Sequence, residues 1–178
     1  MSQVHVPSSS VPDVLQLQMI ANGASTNSGS AYDLVVGDDS VFQTNITRGS
    51  TITLDSGNTT KLNLKAGLYQ ITFAGRTQTA NEGYGEVDYQ LFISTDPTFA
   101  LRNVLADRAI LWYGNGSSAN TRPVIDQNHT VLFNTGVDTT VYIRIQINND
   151  FASAYNLIGS VTDKWTTLDV VRLSEAVS

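Results

Sequence analysis

Two histidines are the whole imidazole complement of this 178-residue chain. His5 stands near the N-terminus, and His129 sits in Asn128-His129-Thr130, three residues after Asp126. A Ser-His-Asp device would need, beside that pair, a serine presented on a sharp strand-to-helix turn. No Gly-x-Ser-x-Gly sequence occurs, so His129 reads as a strand-end histidine. Paired carboxylates are the other route to hydrolysis. Glu86 and Asp88 fall on one face of a strand, about 6.5–7 Å apart, inside the window of about 5–9.5 Å that a glycosidase uses. With Glu82 and the loop Gly83-Tyr84-Gly85 beside them, they read instead as an acidic, solvated strand face.

The oxygen ligands of a calcium site could come from Asp38, Asp39 and Asp126, but none has EF-hand spacing. Aspartates in such turns are favoured because their side chains bond their own backbone. Gly83-x-Gly85 lacks the third glycine and the following helix of a phosphate-cradling loop. Four Asn-x-Ser/Thr sequons, at Asn45, Asn58, Asn115 and Asn128, are close to what composition gives by chance. No catalytic residue, cofactor or metal is expected. The one aromatic cluster suited to a ligand is Leu111-Trp112-Tyr113-Gly114-Asn115-Gly116, with Tyr84 in a second loop. Aromatic faces beside amides suit sugar rings, so Tyr84, Trp112, Tyr113 and Asn115 are candidate ligand-binding residues.

Bulk composition narrows the partners. Ten Lys and Arg against sixteen Asp and Glu give a net charge of −6. Only three lysines occur and the arginines are scattered, so no basic face exists to displace counterions from nucleic acid or to meet an anionic membrane. The chain has no cysteine, which excludes disulfides, thiol nucleophiles and thiolate metal sites. No apolar run approaches the roughly 20 residues of a transmembrane helix, and MSQVHVPSSSVPDV lacks the features of a cleaved leader.

The elements that would position these residues are strands. From Val14 the apolar period is two: Leu15, Leu17 and Met19; Leu62 and Leu64; Tyr69, Ile71 and Phe73; Val87, Tyr89, Leu91 and Ile93; Val141, Ile143, Ile145 and Ile147; and a last run from Trp165 to Leu173. Gly, Asn, Asp and Ser clusters punctuate them, among them Gly37-Asp38-Asp39, Arg48-Gly49-Ser50 and Asp55-Ser56-Gly57-Asn58. This pattern predicts an all-β antiparallel sandwich or barrel. Residues 22–31 read as a Ser/Gly/Asn loop. Single helical turns are expected after Asp96, as N-cap of a segment running to Leu105, and at Phe151 to Tyr155. Residues 1–13 form a separate Pro/Ser-rich segment, an extended N-terminal arm, and 14–178 the sandwich domain. The arm offers Val4, Val6, Pro7, Val11 and Pro12 as partner-binding residues.

The block Ser50-Thr51-Ile52-Thr53-Leu54-Asp55 followed by Thr60-Lys61-Leu62-Asn63-Leu64-Lys65-Ala66-Gly67-Leu68-Tyr69-Gln70-Ile71-Thr72-Phe73 resembles the tumour-necrosis-factor-like jelly roll. The likeness is to its globular-head branch, shared by complement-like proteins and phage structural proteins. Thr140 to Ile145 resembles that family's later core strand, and Lys164 to Leu173 its closing strand. Asp169 and Val170 stand where many members have Gly-aromatic, which leaves the closing strand's register open. The resemblance spans roughly residues 40–174 and implies a jelly roll that assembles as a homotrimer. Phe92 and Tyr142, on the face opposite the core positions, are then expected outward, as candidate subunit-interface residues. The functional expectation is a virion structural protein, made in the host cytoplasm and carried on the particle surface. It would be a capsid decoration protein anchored to a major capsid or other virion protein by its arm. A receptor- or carbohydrate-binding fibre tip is the alternative.

Overall fold

The computed structural model describes residues 11–21, 30–35, 42–79, 84–100, 103–113, 124–149, 155–157, 159–160, 162–163 and 166–175. Twelve strands follow in order: β1 Val14–Met19, β2 Ser30–Val35, β3 Phe42–Arg48, β4 Ile52–Asp55, β5 Asn58–Leu64, β6 Gly67–Thr79, β7 Tyr84–Ser94, β8 Asn103–Tyr113, β9 Val124–Thr135, β10 Thr139–Asn149, β11 Tyr155–Leu157 and β12 Thr167–Glu175. They form two six-stranded sheets in which every pairing is antiparallel. The first sheet runs β9-β6-β12-β1-β3, with β11 extending the β12 side of β6. The second runs β4-β5-β10-β7-β8, with β2 beyond β5 along the same edge of β10.

The two-residue period builds the core. Leu15, Leu17 and Met19, Tyr69, Ile71 and Phe73, and Leu168 and Val170 line the inner face of the first sheet. Ile52, Leu62, Leu64, Leu91, Ile93, Val141, Ile143 and Ile145 meet them from the second. Burying such side chains contributes roughly 1.5–3 kcal/mol each. The register of the closing strand, open in the sequence, is settled: Val170 pairs with Ile71 on one side and Leu15 on the other.

Three expectations are corrected. The segment after Asp96 is a turn followed by β8, not a helical turn reaching Leu105. Pro97 and Thr98 occupy the centre of a β-turn closed by the Phe99 N–H donating to the Asp96 carbonyl, 3.0 Å. The Asp96 carboxylate accepts from the Thr98 N–H and hydroxyl, which favours a turn over a helix. Tyr155 opens a short strand, while 151–154 lie outside the described residues. Residues 30 and 31 of the expected loop belong to β2. Gly67 does not take a positive φ; it is needed because a Cβ there would stand 2.7 Å from both Arg172 Nε and the Ser174 carbonyl.

Candidate interaction sites

The described N-terminal end, residues 11–13, is a built feature. Val11 is 64% exposed and Pro12 is exposed. One residue later the chain is fastened. The Asp13 carboxylate accepts from the Ser50 N–H (3.1 Å), the Thr51 N–H (2.9 Å) and the Thr51 hydroxyl (2.6 Å). Arg48 Nε donates to the Pro12 carbonyl and the Arg172 N–H to the Asp13 carbonyl, both at 3.0 Å. Gly49, with φ +84°, makes the donor turn possible. A Cβ there would lie 1.9 Å from the Asp13 carboxyl carbon. The Thr51 hydroxyl, the Thr51 and Ser50 N–H groups and the Arg172 charge hold the Asp13 carboxyl below its ordinary value. Arg48-Gly49-Ser50 is legible in the sequence as a turn but the role of Asp13 is not, because its donors lie 37 and 38 residues away.

The same end of the sandwich carries a second polar knot. Lys65 Nζ donates to Asp138 Oδ2 at 2.7 Å and the Ala66 N–H to Asp138 Oδ1 at 2.9 Å. The Lys65 bond, then that of Ala66, lowers the Asp138 carboxyl from its ordinary range. Arg172 reaches the Ala66 carbonyl at 2.6 Å, and the Tyr69 hydroxyl donates to the Lys65 carbonyl. Burial raises the Tyr69 phenol.

Between the two knots lies an open cavity of about 220 Å³. Its walls come from Ser50 and Thr51, from Thr53 of β4, from Asn63 and Lys65, and from Asp138 and Thr140. Thr53, Asn63 and Thr140 stand in direct cross-strand register, and the Thr140 hydroxyl donates to Asn63 Oδ1 at 2.7 Å.

The expected site residues fare unequally. Phe92 and Tyr142 do lie on the face of the second sheet away from the main core, but they are not exposed. Phe92 is 1% and Tyr142 7% accessible, because the turn after β7 folds back and lays Phe99 beside them. Phe99 and Tyr142 meet edge to face at 6.4 Å, and the Arg144 guanidinium sits 4.1 Å from the Phe99 ring centre. Their expected exposure is therefore corrected: the chain covers them itself. Among the proposed ligand residues, the β7–β8 ladder puts Tyr84 opposite Tyr113 and Gly85 opposite Trp112. Asn115 lies outside the described residues, as do Val4, Val6 and Pro7 of the expected arm. His129 lies within β9, opposite Phe73, not at a strand end.

The outer face of the first sheet is different. Its rows pair Leu132 with Gln70 and Val171, and Thr130 with Thr72 and Asp169. Thr72 and Thr130 hydroxyls bond at 3.0 Å, Gln16 Nε2 donates to Asp169 at 2.5 Å, and Asn45 donates to Gln16. Leu132 is 65% exposed in the same face. Among the described residues, only the Gln18 end is roofed. There the Gln18 amide donates to the carbonyls of Ser160 and Asp163.

Two antiparallel sheets in this order, with β6, β12 and β1 central in one and β10 and β7 in the other, are a jelly roll of the tumour-necrosis-factor-like kind. Solved structures bear this out. Eiger TNF from S. frugiperda matches with a TM-score of 0.53 at 11% identity, over 94% of this chain and 97% of that one. Murine APRIL at pH 8.0 matches with a TM-score of 0.54 at 12% identity, over 92% of this chain and all of the other. At such identity the likeness is one of fold. No protein-family model and no curated protein matches the sequence.

Proposed function

We propose that this chain is a non-enzymatic structural protein of a virus particle. Its TNF-like head would assemble as a homotrimer and be held to a major capsid or other virion protein through the N-terminal arm. The observation that carries this reading is the fastening at Asp13. Five hydrogen bonds fix Pro12 and Asp13 at the margin of the sandwich, and Val11 before them is exposed. Such a fixed exit suits a segment that engages something outside the head. The part-open outer face of the first sheet supports self-association.

Light scattering on the full chain should give three times the monomer mass. Deleting 1–11, which keeps Pro12 and Asp13, should leave that mass unchanged and abolish co-sedimentation with particles. Normal particle binding by the truncated chain would end the arm reading, and a monomeric mass the trimer reading. A fibre-tip role in sugar binding is favoured by the register that sets Tyr84 opposite Tyr113. A glycan array comparing wild type with Trp112→Ala tests it, and an array without a hit removes it.

A further inference from the structure

We propose that the cavity between the Asp13 and Asp138 knots is a binding site for a neutral, multiply hydroxylated ligand the size of one sugar ring. The proposal goes beyond the trimeric-head reading and does not depend on it. The lining sets the chemistry. Ser50, Thr51, Thr53 and Thr140 bring hydroxyls, Asn63 an amide, and Lys65 with Asp138 one charge of each sign, while Thr139 stands opposite Leu64 on the core-facing row. Leu64 is the one apolar residue, and its side chain is buried in the core, so an apolar ligand finds nothing to rest on.

An anion is disfavoured as well. The only cation of the lining, Lys65, is already bonded to Asp138, whose carboxylate would repel a second negative group. What is left is donors and acceptors at fixed places. The Thr51 hydroxyl is committed to Asp13 and that of Thr140 to Asn63 Oδ1, so both side chains are held still. The Asn63 amide N–H groups and the hydroxyls of Ser50 and Thr53 have no hydrogen-bond partner among the described residues. Hydroxyl groups that both donate and accept match this set. A volume of about 220 Å³ lies below the roughly 300–1,000 Å³ of sites for drug-sized ligands, which limits the occupant to a single ring. The cavity is open and lacks an aromatic platform, so affinity should be millimolar.

Saturation-transfer NMR on the full chain, with glucose, galactose and mannose and with inorganic phosphate as the anionic probe, tests this. Amide spectra should locate the response. At least one hexose should give a saturable response confined to residues 50–53, 63–65 and 138–140. Asn63→Ala should weaken it about tenfold, and Thr53→Val should weaken it less while keeping the shape of the strand. Spectra unchanged away from the cavity will show that both variants fold. No saturable response to any hexose, a response mapping to the Tyr84–Tyr113 ladder, or phosphate binding in place of the sugars would each overturn the proposal.

Discussion

The two sheets share one core but treat their outer faces in opposite ways. On the second sheet, the Asp96–Phe99 turn carries Phe99 back over Phe92 and Tyr142, so residues Leu91 to Ser94 are buried on both sides. On the first sheet the outer rows are threonine, glutamine and aspartate bonded across the strands, with Leu132 standing free among them. One face is finished by the chain itself; the other is satisfied in its polar bonds yet uncovered over most of its described extent. The contrast teaches that an outward aromatic in a strand does not mark an interface until the following loop has been placed.

The cover is held against some strain. Phe99 has φ 58°, which a bulky L-residue adopts only at a cost of about 1–3 kcal/mol. Burial of its ring and the Arg144 guanidinium over it offset that cost. The largest effect follows from here. Phe92→Ala should destabilise the head by about 3–5 kcal/mol in urea unfolding, as truncation of a large core aromatic does. A loss below about 1 kcal/mol would show that the small cluster is a surface ornament, and the contrast between the faces would collapse.

This is also where the sequence was hardest to read. The inner face was legible because strict alternation at Leu15, Leu17 and Met19, or at Tyr69, Ile71 and Phe73, can come only from a half-buried strand. The alternation rule sends Phe92 and Tyr142 outward, and it is right about direction. It is silent about cover, which depends on a turn whose Asp96-Pro97-Thr98 chemistry resembles a helix start as closely as a turn. The strands β8 and β9 carry no clean period, so Asn103–Tyr113 and Val124–Thr135 were not foreseen as long strands. The TNF-like order was legible from the Ala66-Gly67 turn and the strand after it. The fastening at Asp13 was not, since neither spacing nor composition announces a carboxylate that finds its donors across the sheet.

That fastening is how the uncovered sheet is secured at its margin, and it yields the next effect. Asp13→Ala removes three bonds to a charged acceptor and should cost about 2 kcal/mol at neutral pH. The sign with pH follows from the lowered carboxyl. Asp13 contributes stability that is fully present above the ordinary carboxylate value of 3.8, and this is lost as pH falls through its lower folded value. Asp138, lowered mainly by Lys65, acts in the same direction. Wild type should therefore lose stability below about pH 4, and Asp13→Asn should flatten that fall. An equally steep fall in the variant would place the acid sensitivity elsewhere. Arg144→Ala should come third, with a loss of about 1–2 kcal/mol from the contact over Phe99.

The smallest effect on stability is the sharpest test of the uncovered face. Thr72 lies mid-sheet, part-exposed, its hydroxyl bonded only to Thr130 on the adjacent strand and to the Gln70 amide beside it. Thr72→Arg adds a long charged side chain that can extend into solvent without disturbing the ladder. Monomer stability should change by no more than about 0.5 kcal/mol. If a second copy seats on this face, however, the long side chain beside Asp169 must be fitted into the contact, and the assembly should fall to monomers in light scattering. A variant that keeps both its stability and its assembled mass would mean that the face is left to water. Self-association would then use another surface, such as the first sheet's edges at β3 and β9.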